Sequence, residues 1–174
     1  PATDAALCSA LCYVMVKDEI ADFDFLNSHC VGFDETTMPE GAPEHASYLD
    51  YLMGTGYDMV EKTPEWAEEI CGVPADRIRK LAHEICEAKA CYIAQGDGPQ
   101  RRQNGDQAVR SIVMVPIVSG QIGKPRTSTG AQLAGGGGGV SLGRYGAEFY
   151  SIPNPVTKES PCPSGPRLST MVPR

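Results

Sequence analysis

The stretch PADRIRKLAHEICEAKACYIAQGDGPQRRQNGDQAVRSIVMVPIVS, residues 74–119, decides the predicted fold class. A short apolar run with β-branched and aromatic residues at 91–94 indicates a buried strand. A glycine-rich loop follows, and then a helix over 104–119, which Pro116 is expected to bend or to end early. Before the strand comes a helix over 74–89, whose apolar face is Ile78, Leu81, Ala82 and Ile85. The order helix, strand, glycine-rich loop, helix is typical of an α/β fold.

Four shorter helices are predicted towards the N-terminus, over 3–17, 22–28, 46–53 and 63–71. Their ends carry ordinary helix signals, since Thr3 and Thr63 are good N-cap residues and Gly54 and Gly72 follow the last turns. The first of these helices is expected to have one apolar face, formed by Ala5, Cys8, Leu11, Cys12 and Met15.

The character of the sequence changes after Lys124. Five consecutive glycines at 135–139 and many prolines leave no helical or strand periodicity. We therefore predict two parts, an α/β domain over 1–124 and an irregular Gly/Pro-rich tail over 125–174.

The composition excludes several classes of function. The 174 residues carry a formal net charge of −7 and the pI is about 4.9, whereas nucleic-acid binders need a basic surface that displaces counterions. No apolar run approaches the roughly 18 residues that cross a bilayer. We expect no nucleic-acid partner and no direct insertion into a membrane.

The first residues, PATDAALCSA, lack an initiator Met and the basic region of a signal peptide. We expect the chain to be a piece of a longer polypeptide. Such a piece is expected to fold poorly alone, because faces that pack on other domains would be exposed.

Few residues suggest catalysis or metal binding. The seven cysteines are irregularly spaced and include no CxxC pair, so buried reduced thiols are the expected state. His83 lacks the second histidine of a zinc-binding HExxH motif and is expected on a solvated helix face. The sequence therefore predicts no catalytic residue and no metal ligand.

Thr3 and Asp4 admit two interpretations. In the first, they simply cap and charge-stabilise the start of a helix. Alternatively, a carboxylate at this position accepts two parallel N–H bonds of the kind that the edge of a guanine offers, which is a strong and selective arrangement.

The loop QGDGPQRRQNG, residues 95–105, lies where α/β folds bind ligands. Its glycines allow close backbone approach, the following helix start attracts anions, and Arg101 or Arg102 suits a phosphate. The spacing is not that of the GxGxxG dinucleotide motif, so the pattern alone leaves a binding role and a plain loop both open.

Several blocks together resemble the molybdopterin oxidoreductases, in particular catalytic subunits of the dimethyl sulfoxide reductase type. PATDAAL resembles their PGTDAAL segment, QGDGPQRRQNGDQAVRSI their QGWGPQRxxNG segment, and SGQIGKP their TGNVGxxGG segment. KTPEWAEEICGVPADRIRKLAHEI and DFLNSHCVGFDETTMP are similar to further stretches of the same proteins. The resemblance covers roughly residues 1–124, and the sequence departs from it at Ala2 and Asp97.

This resemblance implies a fragment of the third, Rossmann-like domain of an oxidoreductase that reduces S-oxides or N-oxides, such as dimethyl sulfoxide, in anaerobic respiration. The implied cofactor is molybdenum bis(molybdopterin guanine dinucleotide), with an iron–sulfur cluster elsewhere in the full-length protein. Asp4 would accept from the guanine, and an acidic Asp97 beside a phosphate would be repelled. The implied cofactor-binding residues are Thr3, Asp4, Gly96, Gly98, Gln100 and Arg101.

The resemblance also implies an iron–sulfur electron-transfer subunit and a membrane-anchor subunit as partners, on the periplasmic side of the bacterial inner membrane. By itself the chain is expected to be inactive. Two alternatives remain open from the residues alone: a non-enzymatic acidic interaction module, and a nucleotide-binding α/β domain of another class.

Overall fold

The computed structural model describes residues 2–130, which contain six α-helices and no β-strand. The helices are α1 (Asp4–Lys17), α2 (Phe23–His29), α3 (Tyr48–Met53), α4 (Pro64–Cys71), α5 (Ala75–Glu87) and α6 (Gly105–Val118). All six lie within two residues of a predicted helix. None of them is long and apolar enough to cross a membrane. The predicted irregular tail lies outside the described residues from position 131 onward.

Helix α1 is the centre of the described fold. It packs against α6, α4, α5 and α3, and every side chain from Cys8 to Val16 is buried. The prediction of a single apolar face is therefore wrong, because small residues such as Ser9 and Ala10 are buried as well. A helix without a polar side is one that is surrounded by protein.

The short helices α3 and α4 begin and end as their sequence signals predict. The hydroxyl of Ser47 accepts from the N–H of Asp50, and the hydroxyl of Thr63 accepts from the N–H of Trp66. Both helices end at a glycine in the left-handed conformation, which L-residues adopt only at a cost: Gly54 (φ +73°) and Gly72 (φ +72°).

Helices α5 and α6 pack on α1 from the C-terminal half of the described chain. Three of the four predicted apolar positions of α5 are buried, and Leu81 is half-buried. Pro116 lies in the last turn of α6, where its missing N–H removes only one helical bond, so it does not end the helix early.

The predicted strand at 91–94 is absent, so the described residues do not confirm the α/β prediction. A strand needs the backbone of a neighbouring strand, and residues 2–130 supply none beside this segment. Its backbone is held by side chains instead: the N–H of Cys91 donates to Oε1 of Gln121, and the N–H of Ile93 donates to the hydroxyl of Ser128. Apart from isolated bridges, such as Met53 with Glu61, the described residues are helices and loops.

Candidate cofactor-binding site

Asp4 lies in the first turn of α1, where free N–H groups and the helix dipole favour a carboxylate. Thr3 occupies the N-cap position, yet its hydroxyl makes no capping hydrogen bond. Only its carbonyl takes part in the helix, accepting from the N–H of Leu7 at 3.2 Å. Hydroxyl capping therefore does not explain Thr3. The side chain of Asp4 is 39% exposed and can be reached from outside.

The loop over 95–105 contains two kinds of glycine. Gly105 starts α6 so close to the carbonyl oxygen of Gln100 that an added Cβ would collide with it. At Gly96 and Gly98, by contrast, no atom of the described residues lies within 4 Å of an added Cβ. Gly105 is therefore required by the chain itself, whereas Gly96 and Gly98 leave room for a group from outside.

Arg102 joins this loop to the start of α1. Its Nη2 lies 3.5 Å from Oδ2 of Asp4. The same guanidinium donates from Nη2 and Nε to the carbonyl of Gly98, at 3.2 and 3.3 Å. The two stretches selected from the sequence thus converge in space. A partly exposed ion pair of this kind contributes only about 0–1 kcal/mol, so its main effect is orientation.

Arg101, the arginine expected at the site, faces a different partner. Its Nη2 lies 3.0 Å from Oδ2 of Asp97, and its side chain is 72% exposed. The pair places a positive charge beside the acidic residue that was expected to repel a phosphate. The neighbouring arginine contacts Asp4, and the sequence could not distinguish the two because they are adjacent.

A buried acceptor lies at the head of the loop. Gln95 is 5% exposed, and its Nε2 donates to the carbonyl of Gly130 at 2.7 Å. Its Oε1 is buried and has no partner among residues 2–130. A buried acceptor without a donor costs about 1–3 kcal/mol. This atom is therefore suited to a donor that the described residues do not supply.

A cavity of about 390 Å³ opens between α1, α3 and α6, beside the first turn of α1. Aromatic rings form one wall, with Tyr51 between Tyr48 and Tyr57 at centroid distances of 6.0 and 6.2 Å. The α6 side carries polar groups, including Arg110. The cavity touches Ala5, the residue after Asp4, so this aromatic-lined recess lies beside the start of α1.

The structure also brings together Glu35, His45 and Asp50, with ligand-type atoms within 4.8 Å of one another. The sequence analysis did not identify this cluster, because the irregular loop that brings its members together is not specified by a sequence pattern. Helix capping explains Asp50: hydrogen bonds from Ser47 and then Thr55 hold the pKa of its carboxyl well below its usual range. Glu35 and His45 are exposed, and nothing else points to a bound ion.

The six cysteines in the described residues form no disulfide, but only Cys8 and Cys12 are buried and the other four are half-buried. Burial raises the pKa of both Cys8 and Cys12 to about 12. A metal ligand or nucleophile must be a thiolate, and these two thiols stay protonated at neutral pH. His83 lies on a partly exposed helix face, 2.8 Å from Oδ2 of Asp18, which confirms its predicted placement.

Comparison with known proteins extends the resemblance over most of the chain, although no protein-family model matches it. The chain is 44% identical to dimethyl sulfoxide reductase DmsA of Haemophilus influenzae over 164 residues, which are 92% of this chain. It is 45% identical to dimethyl sulfoxide reductase DmsA of Escherichia coli over 159 residues. It is 34% identical to trimethylamine-N-oxide reductase of Vibrio parahaemolyticus over 157 residues, or 90% of this chain.

Each match covers a small part of the relative, namely 19%, 18% and 16% of its length. Both dimethyl sulfoxide reductases are more than 40% identical to this chain over at least nine-tenths of its length. The chain is therefore homologous to a segment of the dimethyl sulfoxide reductases, and it spans about a fifth of the length of the curated relatives that it matches.

Proposed function

We propose that this chain is a segment of a molybdenum-dependent oxidoreductase that reduces S-oxides or N-oxides, and that it holds part of one pterin guanine dinucleotide. The similarity to dimethyl sulfoxide and trimethylamine-N-oxide reductases supports the reaction class. The observation that carries the binding site is the contact of Arg102, in the glycine loop, with Asp4, at the start of α1.

The residues present fit such a dinucleotide. Gly96 and Gly98 leave space where a Cβ would otherwise stand, and Oε1 of Gln95 is a buried acceptor that lacks a donor among the described residues. The exposed guanidinium of Arg101 offers charge-assisted donors to a phosphate. Thr3 has a hydroxyl that its own helix does not use. Donors, acceptors and room thus occur in the two stretches that the contact of Arg102 with Asp4 brings together.

Each residue has a role that follows from its chemistry. Asp4 accepts two N–H bonds from the guanine edge, and Arg102 holds this carboxylate in place. Arg101 binds a phosphate by exchanging Asp97 for it, and the backbone at Gly96, Gly98 and Gln100 borders the pterin or its phosphates. When bound, molybdenum bis(molybdopterin guanine dinucleotide) supplies the two-electron reduction of the substrate oxide.

The remaining parts of the enzyme belong to the same proposal. The molybdenum ligand and an iron–sulfur cluster lie outside this chain, in the rest of the reductase polypeptide. An iron–sulfur subunit delivers electrons, a membrane-anchor subunit holds the complex, and the site of action is the periplasmic side of the bacterial inner membrane. The helical segment described above would belong to the third domain, whose Rossmann-like sheet would require strands from elsewhere in the polypeptide.

The substitution Asp4→Asn in the full-length reductase polypeptide tests the binding site. It keeps the size of the side chain but removes the charge and one acceptor. We expect at least about a tenfold loss of cofactor, because a paired acceptor is replaced by a group that presents a donor. The measurement is the amount of GMP released by acid hydrolysis per polypeptide, together with the molybdenum content.

Asp18→Asn is the matched control. Asp18 stands at the opposite end of α1, partly exposed and paired with His83, so its loss should leave the cofactor content unchanged. A full complement of GMP in the Asp4→Asn enzyme would overturn the assignment of this site.

A further inference from the structure

One buried side chain connects the residues after α6 to the end of α5 and to the segment that leads into the glycine loop. Gln121 is 5% exposed. Its Oε1 accepts from the N–H of Cys91 at 3.1 Å, and its Nε2 donates to the carbonyl of Ala88 at 3.0 Å and towards that of Ile85 at 3.5 Å. The amide therefore uses both its donor and its acceptor on backbone groups that lie 30 or more positions earlier in the chain.

These contacts determine how the chain leaves α5. The last carbonyls of a helix lack partners within the helix, and α5 ends at Glu87 without a glycine cap. Its C-cap residue, Ala88, is extended (φ −63°, ψ 130°). The amide of Gln121 replaces a glycine cap by donating to the carbonyl of Ala88. The same amide accepts from the N–H of Cys91, with which the following segment begins.

The segment after α5 is held at every second residue. Gln121 bonds Cys91, and the hydroxyl of Ser128 both accepts from the N–H of Ile93 and donates to its carbonyl. The side chain of Gln95 then donates to the carbonyl of Gly130. In an extended segment every second residue faces the same side, so contacts at alternate residues indicate that this segment is extended. The residue after Gln95 is Gly96, so this alignment sets the start of the loop.

We propose that Gln121 is a positioning residue for the glycine loop. By fixing the exit from α5 and the register of the segment over 91–95, it determines where Gly98 and Arg102 stand relative to Asp4. Ser128 acts in the same way on Ile93, two residues after Cys91. The inference rests on the proposed function only in its last step, where a correctly placed loop is needed to retain the dinucleotide.

Hydrogen exchange of the full-length reductase polypeptide, followed at the amides of this segment, tests the positioning itself. Gln121→Met keeps the length of the side chain and removes all three hydrogen bonds. We expect amides over 91–105 to exchange at least about tenfold faster, while those of α1 and α4 keep their rates. Ser128→Ala, a milder change, should accelerate the same segment and serves if the first variant fails to fold.

Ser47→Ala is the matched control, because Ser47 is a buried residue that caps the distant helix α3. It should leave exchange over 91–105 unchanged. Uniform acceleration throughout the Gln121→Met and Ser128→Ala chains would mean that these residues contribute general stability only, and this would overturn the proposal.

Cofactor content of the full-length reductase separates this inference from the proposed function. If Asp4→Asn loses GMP and molybdenum, Gln121→Met and Ser128→Ala should lose them as well, in proportion to the increase in loop exchange. Retention of cofactor by both of these variants, beside its loss in Asp4→Asn, would overturn the positioning role. Retention in Asp4→Asn, with accelerated loop exchange in Gln121→Met, would overturn the proposed site and leave the positioning of the loop supported.

Discussion

Two glycine-containing loops of this chain, over 54–62 and over 95–105, differ in what lies beside their glycines. In the first, an added Cβ on Gly54 would lie 2.5 Å from the N of Glu61, and Lys62 is buried between Asp58 and the rings of Tyr51 and Trp66. The loop is filled by its own residues.

In the second loop the groups closest to the proposed site lack such neighbours. Gly96 and Gly98 border space that residues 2–130 do not fill, and Oε1 of Gln95 lacks a donor among those residues. The difference separates two reasons for a glycine. One kind allows the chain to approach itself, and the other leaves room for a group that is not part of the described structure.

The largest effect is expected from Gly54→Ala. The left-handed φ of +73° and the close approach of the Glu61 backbone both oppose a side chain. We expect the free energy of unfolding to fall by about 3 kcal/mol, as the sum of backbone strain and overpacking. Hydrogen exchange of the α3 amides in the full-length reductase measures it.

Gly72→Ala is the control for this prediction. Gly72 has the same conformation, with φ +72°, but nothing among the described residues lies within 4 Å of its added Cβ. It should cost only the strain, about 1–2 kcal/mol. Equal losses in the two variants would mean that close approach does not distinguish Gly54.

A somewhat smaller loss is expected from Lys62→Met. The ammonium lies 2.7 Å from Oδ2 of Asp58, also donates to the carbonyl of Val60, and lies 4.4 Å from the ring centroid of Tyr51. Methionine fills the space without these bonds, so we expect a loss of about 2 kcal/mol. Lys80→Met, at a 66% exposed lysine, should change stability by less than about 0.5 kcal/mol. Similar losses of stability in Lys62→Met and Lys80→Met would contradict the prediction that the buried contacts of Lys62 stabilise the fold.

The pH dependence of stability should report on Asp50, which anchors the start of the first loop. Hydrogen bonds from Ser47 and Thr55 hold its pKa below the unfolded value, so the ionised form is bound more favourably in the folded state. This contribution is present above about pH 4 and is lost as the pH falls towards the folded pKa. Asp50→Asn should therefore flatten the acid limb of a stability–pH curve. An unchanged acid limb in Asp50→Asn would mean that ionisation of Asp50 does not cause the loss of stability at low pH.

The sequence predicted those features that depend on adjacent residues. Thr63, Pro64 and Gly72 fix the ends of α4 through local dihedral angles and one capping bond, so the helix could be predicted from them. Whether residues 91–94 form a strand could not be predicted from adjacent residues, because strand pairing needs a partner that is distant in the sequence. Gln121 and Ser128 take the place of that partner, 30 and 35 residues away.

The candidate site was predicted to the same extent. The carboxylate and the glycine loop were identified from residue type and position, and in the structure Arg102 brings them into contact. Which of two adjacent arginines meets Asp4 depends on the turn before α6, where Asn104 takes a left-handed φ of 55°. Residue type alone does not specify that turn. The buried acceptor of Gln95 depends on Gly130, again 35 residues away.

The smallest effect on folding is expected from Gly98→Ala, and it is the most direct comparison with Gly54→Ala. Gly98 has no positive φ and nothing among the described residues within 4 Å of an added Cβ. Its stability should change by less than about 1 kcal/mol and can increase, because alanine restricts the unfolded chain. In the full-length reductase the same methyl group should lower GMP and molybdenum content, since it occupies space proposed for the dinucleotide. A large loss of stability in the reductase would mean that Gly98 serves folding, as Gly54 does.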